Sequence, residues 1–306
     1  MFERYEKIFM TGHDGEEGDS HRIGTGAGSR TAAPDMPFDR ALRKHILGEG
    51  SASADQAPQP RPGATDALPS APAQSGDVLD LSGTWHAIRP AWRRQQTAAQ
   101  RLRTRNPEVR RAADLLRTRL LQKLHTEGWR RVAVTAPEAG CGTTFTALNL
   151  ALSISAVADF RTVLLDLNLR QPGLGRILDG NGIQEMSDLL RGRVPVTEYL
   201  LRYAENLAVG LNSEVSPNPA ELLQSRSAGE ALDEIERQLA PDVVLCDMPP
   251  LLAHDDTLGF LPQVDCVLLV ADGTRTLSTQ IAECEDLLEG KAPLAGVVLD
   301  RGRAPR

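Results

Sequence analysis

Lysine is scarce in this chain of 306 residues: Lys7, Lys44, Lys123 and Lys291 are the whole set, and none falls in a recognisable motif. The four cysteines, Cys141, Cys246, Cys266 and Cys284, lack the spacing of a metal site. Cys246 and Cys266 sit in apolar runs that read as buried strands. A reduced, cytosolic chain is expected from that pattern. No stretch approaches the roughly 18 uninterrupted apolar residues of a membrane span, and the acidic N-terminal segment does not have the form of a signal peptide. Any membrane association is therefore expected to be peripheral, through a partner or a basic segment. From Met1 to about Asp80 there are runs with almost no bulky apolar residues, such as Gln56-Ala57-Pro58-Gln59-Pro60-Arg61-Pro62. Such a segment cannot bury enough surface to offset its chain entropy, so disorder is expected there.

Charge is unevenly placed along the chain. The first 80 residues carry about −5, residues 81 to 131 about +10 and the remainder about −12, within a net charge of −7. The basic segment suits an anionic membrane surface, nucleic acid or the acidic body of a neighbouring copy. It is equally readable as the solvated face of an Arg-rich helix. Within the tail, Phe38 to Leu47 has the pattern of a short amphipathic helix. Asn106 is placed to cap a helix with Pro107 at its first position, and Ala113, Leu116, Leu120 and Leu121 carry that helix to about Leu124. Three regions follow: a low-complexity tail over 1–85, a basic helical segment over 86–128 and an α/β domain over 129–306.

From residue 132 onward apolar runs alternate with helical stretches, which predicts a parallel sheet covered on both faces. The predicted strands are Val132 to Thr135, Thr162 to Asp166, Leu207 to Leu211, Val243 to Asp247, Cys266 to Ala271 and Leu294 to Asp300. The predicted helices are Thr144 to Ala156, Gln184 to Leu190, Val196 to Arg202, Pro219 to Leu239 and Ser278 to Leu288.

Ligands of an open parallel sheet collect beyond the carboxyl ends of its strands, and three such ends are polar here. The first reads T-A-P-E-A-G-C-G-T-T, Thr135 to Thr144. A strand, a glycine turn and a helix in that order form a phosphate-binding loop: Gly140 and Gly142 let backbone amides turn toward an anion, and the helix N-terminus adds its positive end. Gly140, Cys141, Gly142, Thr143 and Thr144 are the candidate phosphate contacts. Thr144 is placed to offer its hydroxyl to Mg²⁺. Thr143 occupies the position where such loops carry lysine, and Pro137 stands where the general pattern has glycine, so the match is partial.

The second end, Val163 to Pro172, places Asp166 at a strand terminus, suited to hold a metal-bound water or activate a hydroxyl, with Arg170 suited to a phosphate. Asp166 can equally serve only to brace the next turn. The third, Asp242 to Pro250, ends a buried strand on Asp247, a position suited to orienting Mg²⁺.

The order of a phosphate loop, D-x-N-x-R-x-P (Asp166 to Pro172), N-P-A-E-L-L (Asn218 to Leu223), D-M-P-P (Asp247 to Pro250) and G-V-V-L-D-R (Gly296 to Arg301) resembles the cytoplasmic ATPase domain of bacterial tyrosine kinases, a MinD/ParA-like group of P-loop proteins serving capsule and exopolysaccharide synthesis. The resemblance spans about 106–303. It implies a doubly wound, mostly parallel sheet of P-loop NTPase type. It also implies ATP on Gly140 to Thr144, Mg²⁺ near Thr144, Asp166 and Asp247, and catalytic roles for Asp166, Asp247 and Arg170. Asp300 and Arg301 fall near the nucleotide base. A membrane polysaccharide co-polymerase or a related kinase is the implied partner, with homo-oligomers possible and no nucleic acid expected.

Several positions depart from the family pattern. Besides Thr143, Asn168 replaces a second Asp, Asp300 replaces an Asn, and the subunit-contact motif E-x-x-R-x-x-R appears as Arg111, Asp114 and Arg117 with its first two charges reversed. The tyrosines are Tyr5, Tyr199 and Tyr203, and the sequence ends Ala304-Pro305-Arg306, so autophosphorylation on a C-terminal tyrosine cluster is not expected of this polypeptide. Three functions stay open: a regulatory protein with a degenerate ATP site, an active protein-tyrosine kinase of the same pathway, and a ParA/MinD-like positioning ATPase.

Overall fold

The computed structural model describes residues 7–10, 81–91, 93–180 and 185–301. Nine strands form one sheet: β1 (Lys7–Met10), β2 (Arg89–Pro90), β3 (Arg131–Thr135), β4 (Thr162–Asp166), β5 (Leu201–Ala204), β6 (Leu207–Gly210), β7 (Val243–Asp247), β8 (Cys266–Asp272) and β9 (Leu294–Asp300). Their order across the sheet is β1-β9-β8-β3-β7-β4-β6-β5-β2. All neighbours run parallel except the β5–β6 hairpin.

Parallel strands carry helices on both faces, so their side chains must be apolar in both directions. Alternate residues divide accordingly. Val132, Val134, Leu164, Val243 and Leu245 face one layer, which includes α2 (Arg93–Arg105), α3 (Pro107–Glu127) and α4 (Thr143–Ile154). Ala133, Val163, Leu165, Val244 and Cys246 face the other, which includes α1 (Leu81–Ala87), α6 (Met186–Leu190), α9 (Arg226–Leu239) and α11 (Ser278–Leu288). The α/β sheet covered on both faces is therefore as the sequence predicts. Arg131 ties β3 to the second layer, donating from Nε and Nη2 to the Glu236 carboxylate at 2.8 and 2.7 Å.

Asn106 caps α3 as its sequence suggests: its side-chain oxygen accepts from the Glu108 and Val109 amides at 2.9 and 3.4 Å, with Pro107 at the first helical position. The helix closes at Gly128, left-handed at φ 71°. Its stripe Val109, Ala113, Leu116, Leu120 and Leu124 is buried. Arg117 donates to Asp114 (3.1 Å) and to the Ser153 carbonyl (3.0 Å), while Ser153 Oγ donates to Asp114 (2.6 Å). These two motif charges thus fasten α3 to α4 within the chain.

Four expectations need correction. The stretch Pro219 to Leu239 is two helices, α8 (Pro219–Leu223) and α9, because Ser225 adopts extended backbone and caps α9, its hydroxyl accepting from the Ala228 amide. The helix from Val196 stops at Tyr199 as α7, since Leu200 is extended and 201–204 pairs with β6. The helix predicted from Gln184 starts at Met186, and Gln184 itself lies outside the described residues. Finally, Lys7–Met10, within the stretch expected to be disordered, pairs with β9 as an edge strand. The rest of that tail before Leu81, with the predicted helix at Phe38 to Leu47, lies outside the described residues. Among the described residues no helix is long and apolar enough to cross a membrane.

The Asn106 cap makes a direct test of the α3 boundary. Asn106→Ala is expected to lower stability by about 1 kcal/mol in urea denaturation, through loss of two amide acceptors.

Candidate functional site

The site forms where β3, β7 and β4 end side by side. Main-chain pairing sets Val134 opposite Asp247 and Asp247 opposite Asp166, so the two acids share one level at the carboxyl edge. The chain leaving β3 turns through Gly140 (φ 82°) and Gly142 (φ 84°) into α4. Both angles lie in the left-handed region that side chains disfavour. No side chain caps α4, so its leading amides keep the free donors and positive end that suit an anion.

The D-M-P-P segment braces this turn. The Leu251 amide donates to the Ala136 carbonyl (2.7 Å), and the hydroxyls of Thr135 and Thr257 both donate to the Pro249 carbonyl at 2.7 Å. Thr257 lies on α10 (Asp256–Phe260). On the opposite flank, a Cβ at Gly173 would meet Thr144 Oγ1 at 3.0 Å, so the loop after β4 lies against Thr144. Thr144, Asp166 and Asp247 are thereby brought together.

The two acids are the least satisfied polar groups in the site. Asp166 is fully buried, and its Oδ2 accepts from the Gly173 and Leu174 amides at 3.0 and 2.9 Å, at the start of α5 (Leu174–Ile177). It therefore does brace the next turn, but Oδ1 has no partner. Asp247 is also fully buried and lacks a hydrogen bond on either oxygen. Burial pushes the Asp166 carboxyl up to about 7, against the opposing pull of the Leu174 and Gly173 amides. Burial, reinforced by the Asp166 charge, drives Asp247 well above the carboxylate range, while the nearby Thr144 hydroxyl pulls it back.

Three orphaned buried carboxylate oxygens beside a threonine hydroxyl are what a hard cation such as Mg²⁺ satisfies. The described residues hold no group of three or more His, Cys, Asp or Glu able to cage a metal alone. Mg²⁺ usually takes one or two carboxylates and completes its shell with water and phosphate. The residues present fit the ion.

The remaining predicted residues divide. Arg170 is ion-paired: its Nε and Nη2 donate to the buried Asp256 carboxylate at 2.5 and 3.1 Å, a pairing whose partner lies 86 residues away. Asn168 accepts from the Gln171 amide through its side chain (3.1 Å), shaping the turn. Cys141 is buried with Sγ 3.7 Å from Thr276 Oγ1. A Cβ on Gly142 would run into the Asp300 carboxylate, which places Asp300 against the loop, and burial raises its carboxyl. Arg301 donates to Asp272 (2.9 Å).

Sequence reasoning missed Asp256, Asp272, Arg275 and Thr276, which carry no motif signal. Tyr199 and Tyr203 are buried, and the Tyr199 hydroxyl donates to the Leu211 carbonyl (2.5 Å), so neither presents an accessible phosphate acceptor. Tyr5 lies outside the described residues.

A raised carboxyl fixes the sign of a pH effect. The folded state holds the Asp166 proton more tightly than the unfolded chain, so this contribution to stability is complete below about pH 4 and disappears as pH rises through about 7. In EDTA the melting temperature should fall across that window. Asp247→Asn, which removes the second buried charge, should flatten the fall; an unchanged pH profile in that variant would contradict the pairing.

No protein-family model matches the chain. EpsB of Ralstonia solanacearum is 30% identical over 190 residues, covering 60% of this chain and 24% of that protein. The tyrosine-protein kinase CpsD of Streptococcus pneumoniae is 28% identical over 173 residues, covering 56% of this chain and 75% of CpsD. The chain thus spans about a quarter of EpsB's length and three quarters of CpsD's. Among solved structures, the kinase domain of VpsO superposes with a TM-score of 0.55 at 27% identity, over 69% of this chain and 97% of that domain. Over the part it shares with them, the chain is a homologue of bacterial tyrosine-protein kinases and has the fold of their kinase domain.

Proposed function

We propose that the chain is a tyrosine-kinase-like P-loop protein of exopolysaccharide or capsule synthesis that binds Mg-ATP in a degenerate site and regulates a membrane polysaccharide co-polymerase or a related kinase. It acts in the cytoplasm, at the inner membrane through that partner. The observation that carries this reading is the contrast within one site. On the side proposed for the ion, Asp166 and Asp247 keep three buried oxygens without a partner beside Thr144. The phosphate loop has Thr143 in place of a charge, and Arg170 is already paired with Asp256.

Nucleotide phosphates would lie on the amides of Gly140 to Thr144, and Thr144, Asp247 and Asp166 would hold Mg²⁺. That ion would neutralise charge on the phosphates. The chain's own acids keep the metal side dry and fixed, since Asp166 is locked by two amides and Asp247 lies wholly inside the sheet edge. Phosphoryl transfer depends on positioned positive charge at the transferring group, which Thr143 cannot supply. Binding survives such a loss better than chemistry does, because one charge-assisted hydrogen bond is worth about 1.5–3 kcal/mol.

The reading of an active protein-tyrosine kinase has one observation in its favour, a guanidinium from Arg275 beside the loop. Purified protein separates the two. Wild type is expected to bind Mg-ATP with turnover at least about tenfold below that of Thr143→Lys. Equal turnover would make the wild type an active kinase-type ATPase, and absence of binding by both proteins would remove the nucleotide from the account.

A further inference from the structure

Thr143 leaves the phosphate loop without its own cation, but a guanidinium stands against the loop from the turn after β8. Arg275 Nη2 donates to the Gly140 carbonyl at 3.2 Å, and Nε donates to Asp272 Oδ2 at 3.0 Å. Asp272 is fully buried and also accepts from Arg301 Nη1 (2.9 Å), the Thr274 amide (2.9 Å) and the Thr274 hydroxyl (2.6 Å). Burial alone would raise its carboxyl, but these donors and the Arg301 charge outweigh it, and Asp272 stays an anion below its usual range. Thr276 completes the attachment, accepting from the Asp272 amide (2.9 Å) and meeting Cys141 of the loop.

The contact is built on both sides. A Cβ at Gly140 would lie 3.1 Å from Arg275 Nη2, so the bare backbone there is what lets the guanidinium close on the loop. With Nε committed to Asp272 and one Nη2 hydrogen to the Gly140 carbonyl, Nη1 and the second Nη2 hydrogen are the donors left to meet a ligand, and the side chain is 61% exposed. Arg301 is shared between Asp272 and Asp300 (Nε to Oδ2, 3.9 Å), whereas Arg275 meets Asp272 alone and stands nearest the loop. The other cation proposed for the phosphate, Arg170, is neutralised by Asp256, and Lys123 is tied to the Leu294 and Ala295 carbonyls.

We infer that Arg275 supplies the positive charge missing at Thr143, holding the phosphates of a nucleoside diphosphate or triphosphate bound on the loop. This rests on the nucleotide reading above. A guanidinium offers several donors in a planar fork matched to phosphate oxygens, so it can hold a phosphate from the rim where a lysine would reach from within the loop.

Calorimetric titration of the full chain with ADP and Mg²⁺ tests it through binding alone. Arg275→Gln should weaken ADP by at least about tenfold, and Arg275→Lys should recover most of that loss. On a Thr143→Lys background the same Arg275→Gln change should matter less than about twofold, because the loop then has its own cation. Equal losses on both backgrounds would assign Arg275 a structural role only and overturn the inference, as would a silent Arg275→Gln in wild type. If wild type binds ADP and Arg275→Gln binds it equally, the inference fails while the nucleotide reading stands; if wild type binds no ADP, both fail.

Discussion

Two carboxylates buried side by side, Asp166 and Asp247, set the terms for the rest of this domain. Charged groups of like sign in a dry sheet edge repel and are poorly solvated, and three of their four oxygens have no partner. Everything around them serves to hold that arrangement. Parallel pairing of β4 with β7 fixes their separation, the start of α5 grips one oxygen of Asp166, and the D-M-P-P turn ties β7 to the phosphate loop through backbone carbonyls. Such a pair, held without a salt bridge, suits the cation proposed to enter with a ligand.

On the far side of the loop the acids are paired with arginines. Asp272 is an anion stabilised by two arginines, and Asp300 presses against Gly142. The loop therefore lies between an acid-rich wall at β4 and β7 and an arginine-bearing rim at β8 and β9. On the proposed reading, with Thr143 in the loop and Arg275 at its rim, the cation is placed better to hold a nucleotide than to transfer its phosphate.

Much of this was legible in the sequence because the central strands are buried on both faces. Runs such as Val163-Leu164-Leu165 and Val243-Val244-Leu245 have no solvent side, so they stand out as continuous apolar segments ending on Asp166 and Asp247. Edge strands lack that signal. Leu201–Ala204 reads as the end of a helix because only its pairing with β6 decides the conformation, and Arg89–Pro90 is too short to carry a pattern. The helix break at Ser225 was hidden because Pro219 to Leu239 keeps a helical apolar spacing through it. Ion pairs were the least visible. Arg170 looked available until Asp256 was found across the fold, and Arg275 sits in a turn whose sequence, Gly273-Thr274-Arg275-Thr276, carries no motif.

The most direct test of the central claim is a crystal structure of the chain with Mg²⁺ and a non-hydrolysable ATP analogue. The account predicts phosphate density on the amides of Gly140 to Thr144, with the ion between Thr144 and Asp247. An empty loop at saturating analogue, with Asp166 and Asp247 unchanged and no ion beside them, would contradict it.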